Sequence, residues 1–457
     1  MTPAVEDNWV NQEMKKLELP DERLEKRTIK IITDLSQNPT ASIPEFCGDR
    51  AATQATYNYC DNRAVSREAI VEAQRQATLS RIKGGGYQRI LAIQDTTEYN
   101  FNHHPATTGL GPLDNPLVKG FFAHSTLAVT DEGLPLGLLG QELWVRAEDE
   151  PPKDPYRPIE EKESFKWLTG LDQSSRGLPK DVQVLQVSDR ESDIYEYFVH
   201  PRPENVELLL RSFQDRGLSN EEKSLWSALR TSPVRGKVEV EVGRAKDRAP
   251  RTASCQVYYK RVKIRPPKKR PGLPADLKPV VLWAVLLREM SPPDGVEPLE
   301  WLLLTTLEVA SFEQACQMIV YYTFRWLIER LHFVLKSGCA LEDRQLRTVE
   351  RLQRFLAVAN VVAWRLLWLT YLGRGKPDLP CTVVFEDYEW QALYSFIHKT
   401  AIVPNEPPTL HQATLWLAQL GGFLGRKSDG YPGVKVLWRG WRRLFDISQT
   451  WLIFNTS

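Results

Sequence analysis

The sequence predicts an α/β core interrupted by a β-rich insertion, with helical segments at both ends of the chain. Short apolar strands alternate with helical patterns between residues 86 and 375, which is typical of an α/β core. A second group of strands at about residues 230–305 is separated by proline-rich connectors. Helical patterns dominate before residue 86 and after residue 375.

Composition sets the class of protein. The chain has 457 residues, 42% of them hydrophobic and 26% charged, as expected for a globular protein of two to four domains. It contains no unbroken apolar run of the roughly 18–20 residues that cross a bilayer, so no membrane association is expected. The first residues lack a secretory pattern, and the six cysteines form no CxxC pair. We therefore expect a cytoplasmic protein with free thiols.

Residues 1–85 are predicted to form a small helical domain. Asp21 is placed to cap a helix that runs through residues 31–35, and Ser66 precedes a second helix at Arg67–Arg81. Three consecutive glycines, residues 84–86, then end the helical pattern.

The predicted core follows in residues 86–375. One apolar strand, Arg89–Ile93, runs into residues 94–97, and a second, Val182–Val187, runs into residues 188–191. The other core elements are strands at His124–Thr130, Leu134–Trp144 and Val206–Arg211 and a helix at Glu160–Ser174.

The insertion and the C-terminal part complete the prediction. The inserted strands are Lys237–Val242, Gln256–Ile264, Val280–Leu287 and Trp301–Thr305. Two long helices follow, Ser311–Leu335 and Glu350–Tyr371, and a linker at Gly373–Pro380 leads into a mainly helical block at residues 376–457.

Three acidic residues are candidate metal ligands. Asp95 and Asp189 each lie where an apolar strand is predicted to end, and Glu329 lies inside the long helix. On a continuous helix, Tyr322, Arg325, Glu329 and Lys336 would share an arc of roughly 60°. Carboxylates without histidine or cysteine suit a hard cation such as Mg²⁺ or Mn²⁺.

Other interpretations of the same residues stay open from spacing alone. An aspartate after a strand is often a cap or a turn residue, and Glu329 could simply pair with Arg325 one turn away. Among the aromatic residues of this helix, the pattern favours Tyr322 as functional and Phe324 and Trp326 as core.

The clearest charge feature lies in the insertion. The net charge of the whole chain is +1, but residues 230–270 hold 14 Lys and Arg against three acidic residues, a local charge of +11. This run surrounds Tyr258 and Tyr259 on a predicted strand. It indicates a surface for phosphate backbones, although a solvated face would look the same. The candidate contacts are Lys260, Arg261, Lys263 and Arg265.

Several motifs occur together in the order of a known family. The first is Ile93–Thr97, the second is Val187–Glu191, and the third is Tyr322-x2-Arg325-x3-Glu329-x6-Lys336. With these motifs the chain resembles bacterial insertion-sequence transposases of the DDE type, which cut DNA through a hairpin intermediate. One departure is Phe333, where many relatives have a lysine.

The resemblance implies an RNase H-like core and an active site with two Mg²⁺ ions, for which Mn²⁺ would substitute. Asp95, Asp189 and Glu329 would be both the catalytic residues and the metal ligands. Trp301 would stack on a base flipped out of the hairpin, although a tryptophan on a strand is also often core. Arg211 would hold the phosphate of that base, together with Tyr322, Arg325 and Lys336.

The resemblance extends to both ends of the chain. Residues 21–23 with Arg27, and Ala51–Tyr59, resemble a domain that binds transposon ends. Arg23, Arg27 and Lys30 at i, i+4 and i+7 would contact DNA there, unless they form a solvated face. Residues 420–423 and 437–441 resemble a dimerisation region.

The implied function is cut-and-paste transposition by a homodimer that binds terminal inverted repeats and target DNA. Water nicks one strand at each end, and the freed 3′-hydroxyl attacks the opposite strand to form a hairpin. A second water opens the hairpin, and both 3′-hydroxyls attack the target. Two alternatives are a transposase-derived DNA-binding protein that no longer cuts and an RNase H-like nuclease without strand transfer.

Overall fold

One large mixed sheet organises the protein in this computed structural model. The structure describes residues 9–148, 154, 157–219, 223–242, 250–268, 277–427 and 429–455. Within them the strands are β1 Arg89–Asn100, β2 Gly111–Pro112, β3 Lys119–Thr130, β4 Pro135–Trp144, β5 Gln183–Ser188, β6 Val206–Arg211, β7 Gly236–Val242, β8 Arg251–Ile264, β9 Val280–Glu289 and β10 Glu300–Thr305.

The strand order is β2-β3-β1-β5-β6-β10-β9-β8-β7, with β4 paired to β3. β1, β5 and β6 run parallel, whereas β10 joins β6 in the antiparallel direction. The four strands predicted for the insertion are all present. Because β10 pairs with β6, they extend the core sheet and do not form a separate one.

The helices in the described residues are α1 Trp9–Glu13, α2 Glu22–Gln37, α3 Ile43–Cys47, α4 Arg50–Asp61, α5 Arg67–Gly84, α6 Lys166–Ser175, α7 Tyr195–Val199, α8 Leu225–Arg230, α9 Phe312–Thr323, α10 Trp326–Phe333, α11 Val349–Gly375, α12 Asp387–His398, α13 Leu410–Leu420 and α14 Val434–Asn455. The architecture is therefore mixed α/β with helical N-terminal and C-terminal segments, in agreement with the predicted class.

Side chains alternate between the two faces of the sheet, as the period of two along a strand requires. Leu91 and Ile93 of β1 pack in one core with α9, α10 and α11. Ile90 and Ala92 face the opposite core, which includes residues of α6, α7 and α8. Odd-numbered residues of β1 thus point toward the helices that carry the candidate signature.

Caps fix the N-terminal helices where the sequence predicts them. Asp21 accepts a hydrogen bond from the backbone N–H of Arg23, and Ser66 accepts one from that of Ala69. Such caps satisfy N–H groups that have no partner inside the helix. The Thr28 and Tyr59 hydroxyls, 2.6 Å apart, join α2 to α4 in the core.

Two glycines permit the close crossing of α13 and α14. A Cβ on Gly440 would lie 1.9 Å from the Leu417 carbonyl oxygen, and one on Gly421 would lie 1.8 Å from that of Val436. Any side chain at either position would force the backbones apart. The end of α11 packs with α12, α13 and α14 in a separate C-terminal core.

α11 is long and apolar enough to cross a membrane by length and composition alone. Most of its apolar stretch is buried inside the protein, as in the central helix of a core. It extends to Gly375, so the first residues of the predicted linker at Gly373–Pro380 are helical.

Three predicted boundaries are wrong. The helix predicted at Glu160–Ser174 begins only at Lys166, after two 3₁₀ turns at Ile159–Glu161 and Glu163–Phe165. β1 does not end at Ile93: its pairing with β5 stops there, but its pairing with β3 continues to Asn100. Nor is Ser311–Leu335 one helix, because α9 ends at Thr323, α10 begins at Trp326, and Val334–Gly338 forms a π-helical turn. The single helical arc expected for residues 322–336 therefore does not exist.

Candidate active site

The fold brings the three predicted carboxylates to one region of the sheet. Asp95 lies two residues beyond the Ile93–Val187 pair, and Asp189 follows the last residue of β5. Both therefore occupy the edge at which the parallel pairing of β1 and β5 ends. Glu329 reaches this edge from α10, which packs against β1.

Asp189 also caps a helical turn, as the alternative interpretation of this residue expected. Its carboxylate caps the 3₁₀ turn Arg190–Ser192 by accepting from the Glu191 backbone N–H at 2.8 Å. This bond fixes the carboxylate at the end of β5. A capping role and a role at the edge of the sheet are therefore compatible for this residue.

Arg325 links the other two carboxylates. Its Nη2 donates to Glu329 Oε1 at 2.6 Å, and its Nη1 lies 3.7 Å from Asp95 Oδ2. Only 12% of the Arg325 side chain and 16% of the Asp95 side chain are exposed. The ion pair expected for Glu329 is therefore present, and the same guanidinium also lies near Asp95.

Burial raises the pKa of two of these groups, Asp95 and Asp189. The pKa of Asp95 is raised to about 7: burial raises it, Arg325 opposes this, and Asp189 and Glu329 raise it further. Burial also raises the pKa of Asp189, against the hydrogen bond from the Glu191 backbone. Repulsion among carboxylates is the situation that a bound cation relieves.

The donor chemistry fits a hard divalent cation, because all three side chains offer oxygen only. In the arrangement found, however, no three His, Cys, Asp or Glu side chains of the described part of the chain are gathered closely enough to hold a metal ion. The two-ion site at Asp95, Asp189 and Glu329 remains a prediction.

An aromatic pair stands beside the carboxylates. Trp301, near the start of β10, is half-buried, and its ring meets that of Tyr322 at 5.4 Å with an interplanar angle of 68°. Arg211 ends the neighbouring strand, and its Nη2 donates to the Glu300 carbonyl at 3.3 Å. Tyr322 is 5% exposed, and burial raises its pKa. The structure therefore brings Trp301, Arg211 and Tyr322 together, and their contacts with DNA stay a prediction.

Lys336 lies on the π-helical turn instead of a continuation of α10. Its Nζ is 3.8 Å from Glu342 Oε1 and 5.7 Å from the centre of the Tyr99 ring. Phe333, at the position of the family's lysine, packs against Trp438 of α14 with ring centres 5.4 Å apart. This position thus contributes to packing between the central and C-terminal regions.

The prediction that Trp326 is core is wrong. This side chain is 55% exposed, and Arg325 lies over its ring at 5.0 Å. Phe324 is half-buried and packs against the main core, so it agrees with the prediction better. The two differ because the chain turns between α9 and α10, which rotates Trp326 away from the core.

The basic residues of β8 are divided between the two faces of the sheet. Odd-numbered β8 residues such as Val257 share the core of α9, so Arg261 and Lys263 lie on the face of the carboxylates, whereas Lys260 lies on the opposite face. Across the sheet Tyr259 pairs with Val285, Val285 with Leu303 and Leu303 with Arg211, so Tyr259 and Arg211 lie in one row perpendicular to the strands. Lys263 is four residues, about 13 Å, from that row, toward the opposite edge.

Arg265 follows the end of β8 in the same direction. The four predicted contacts are thus not one continuous surface at the carboxylates. Part of the basic run, residues 243–249 and 269–270, lies outside the described residues.

The predicted N-terminal contacts are accessible, and two of them have acidic partners. Arg23 pairs with Asp21 at 2.7 Å with 88% of its side chain exposed, and Lys30 pairs with Asp34 at 3.0 Å. Arg27 lies between them on α2 and is half-buried. These contacts are local to α2, so their role in binding DNA stays a prediction.

Sequence reasoning missed a buried acid that organises this edge. Asp193 is 1% exposed, and its carboxylate accepts hydrogen bonds from the backbone N–H groups of Phe213 and Gln214 and pairs with Arg216 at 2.8 Å. It fixes the loop after β6, on which Phe213 is 66% exposed. Its only signal in the sequence is a position four residues after Asp189.

Two family models match the ends of the chain. Residues 6–65 match the model described as Transposase DNA-binding, and residues 361–449 match the Transposase Tn5 dimerisation domain. These segments contain α1–α4 and most of the C-terminal helices. The matches support DNA binding and homodimer formation, and together they support a transposase of the Tn5 family.

Proposed function

We propose that the protein is a DDE transposase with an RNase H-like core, which cuts transposon ends through a hairpin and joins them to target DNA. The observation that carries the proposal is the placement of Asp95, Asp189 and Glu329 at one edge of the sheet beside the Trp301–Tyr322 pair. The matches to transposase DNA-binding and dimerisation models support the substrate and the dimeric state.

In this proposal Asp95, Asp189 and Glu329 would hold two Mg²⁺ ions. When bound, the ions would lower the barrier to attack by oxygen nucleophiles on phosphodiesters and stabilise the leaving oxygen. The protein would orient the scissile phosphate by its own charges. One site would serve nicking, hairpin formation, hairpin opening and strand transfer, because each is a phosphoryl transfer.

Arg325 would contribute a donor to the DNA. Its Nε is buried and has no hydrogen-bond partner among the residues that the structure describes. An unpaired donor in a buried guanidinium is costly unless a ligand accepts from it. Because Nε has almost no exposed surface in the free protein, the Arg325 side chain would shift to bring this donor to phosphate oxygens of the strand that forms the hairpin. Arg211, Tyr322 and Lys336 would contact the same strand.

Trp301 would receive the base that leaves the stack at the hairpin. A tight hairpin cannot keep every terminal base stacked, and an aromatic face compensates for the lost stacking. The ring of Trp301 is half-buried and packs against that of Tyr322 at a steep angle, so it would be held in place for stacking on the base. This element is what separates the proposal from a simple nuclease, which needs no such clamp.

The test uses a duplex that carries the inverted repeat flanking the reading frame. With Mg²⁺, the wild type should give a hairpin product on a denaturing gel, and Glu329→Gln should give none while still binding the duplex. Unchanged cleavage by this variant would refute the assigned site. Wild-type binding without any cutting would favour a silent DNA-binding protein, and blunt products without a hairpin would favour a nuclease.

A further inference from the structure

A basic groove lies along α14, away from the carboxylates. This α14 groove has a volume of about 650 Å³. Its lining residues are Thr40, Ser337, Leu420, Gly421, Lys435, Trp438, Arg439, Arg442 and Arg443. Residues of the N-terminal, central and C-terminal parts of the chain thus contribute to one concave surface.

The charge of the α14 groove is almost entirely positive. Lys435, Arg439 and Arg442 follow one another at i, i+4 and i+7, and Arg443 is the next residue, so all four project from one side of the helix. All four are exposed. Arg442 pairs with Glu45 at 2.9 Å, and this is a half-exposed ion pair of little net strength.

The walls of the groove are held in place by buried contacts. Arg344, 3% exposed, donates to the carbonyl oxygens of Pro39, Ala41 and Cys339, which fixes the loop of Thr40 against the central part of the chain. On the other side Trp438 packs on Phe333. The cations are therefore presented on a preformed surface.

We infer that the α14 groove binds the sugar-phosphate backbone of DNA, which gives the segment matched to a dimerisation domain a second role. From Lys435 to Arg443 the four cations span nine residues, about 12 Å of helix, which is long enough to follow several phosphates of one strand. The inference rests on the proposed function, because it takes DNA as the ligand.

The surroundings of the groove favour DNA over an acidic segment of a second copy. Thr40 and Glu45 belong to the segment that matches a transposase DNA-binding model. Ser337 follows Lys336, which we assign to the DNA near the carboxylates. A strand that passes from the N-terminal helices to the carboxylates would therefore run beside α14.

The experiment compares two variants that each remove two exposed cations from the C-terminal part of the chain. The groove variant, Lys435→Gln with Arg439→Gln, removes two positive charges from the α14 groove. The control variant, Lys399→Gln with Lys427→Gln, removes two positive charges outside the groove. The full-length protein is titrated onto a labelled duplex of about 40 base pairs over a range of salt concentrations, and its dimer is measured by sedimentation. Arg442 and Arg443 are left intact because they contact Glu45 and the Leu420 carbonyl.

We expect the groove variant to bind DNA about ten-fold more weakly near 0.1 M salt. The slope of log affinity against log salt concentration should become less steep by about two. The control variant should keep most of the wild-type slope, and Lys435→Arg with Arg439→Lys should restore it. Equal slopes for groove and control variants would overturn the inference, as would a loss of the dimer that accounts for the weaker binding. If the wild type binds no DNA, the proposed function fails as well.

Discussion

Arg325 donates to the Glu329 carboxylate at 2.6 Å, and Arg325 lies at the junction between the end of α9 and the start of α10. The same guanidinium lies 3.7 Å from Asp95. A cation of the protein thus lies between two of the acids assigned to the metal site. The arrangement lets Arg325 balance their charge in the free protein and contact the phosphate in the complex.

Replacing Arg325 by alanine should therefore slow strand cleavage about 100-fold or more, the usual cost of removing one donor that stabilises charge in a transition state. Cleavage rates on a saturating duplex measure this effect. Arg347→Ala, which removes an exposed arginine outside the site, should cleave at the wild-type rate. Equal rates for the two variants would contradict the role of Arg325.

Trp301→Ala should affect the hairpin steps more than the first nick. Stacking of a base on an aromatic ring is worth about 1–3 kcal/mol, which corresponds to roughly 5- to 150-fold in rate. A time course on a denaturing gel resolves nicked, hairpin and opened products. Trp301→Phe should recover part of the loss because it keeps a ring, and a uniform slowing of all steps would argue against the stacking role.

The basic residues of β8 should contribute unequally to DNA binding. Arg261→Gln with Lys263→Gln removes two exposed charges on the face of the carboxylates and should lower the salt slope by about two. Lys237→Gln changes an exposed residue of the neighbouring strand β7 and should have less effect. An unchanged slope in the double variant would exclude this part of β8 from the interface.

Gly440→Ala should weaken the C-terminal helices and with them the dimer. Its new Cβ would meet the Leu417 carbonyl oxygen at 1.9 Å, so α13 and α14 must separate. Overpacking of this kind costs about 1–3 kcal/mol or more. Thermal unfolding and sedimentation measure both effects. At Gly433 a Cβ would meet nothing within 4 Å, so Gly433→Ala is the matched control and should change neither.

Asp193→Ala should be among the most destabilising single changes at the carboxylate edge. It would leave Arg216 and two backbone N–H groups buried without their acceptor, at a cost of about 3–5 kcal/mol. Glu148→Ala breaks the exposed pair with Lys119 and should change the unfolding temperature far less, because solvent screens such a pair. Similar losses of unfolding temperature in both would show that Asp193 has no special structural role.

Much of the fold was predictable because local signals agree with it. Asp21 and Ser66 begin helices as expected, and the four strands of the insertion are present. These features depend on nearby residues: a cap satisfies N–H groups two or three residues away, and alternation reflects one buried face. The three acids were chosen from motif and context, and the structure places them at one edge.

The remaining features depend on contacts between distant residues. β1 continues past Ile93 because β3 pairs with it, and Trp326 is exposed because the chain turns between two helices of similar apolar pattern. The charge run of β8 divides between two faces once its register with β9 is known.

Local patterns along the chain were enough to predict the α/β class, the three candidate carboxylates and the concentration of positive charge in the insertion. The link from Asp95 to Glu329 through Arg325, the support of the edge by Asp193, and the basic groove of α14 with Thr40 and Ser337 became visible only in the folded chain. An apolar pattern specifies which side of an element is buried. Which neighbour covers that side is set by packing between segments hundreds of residues apart.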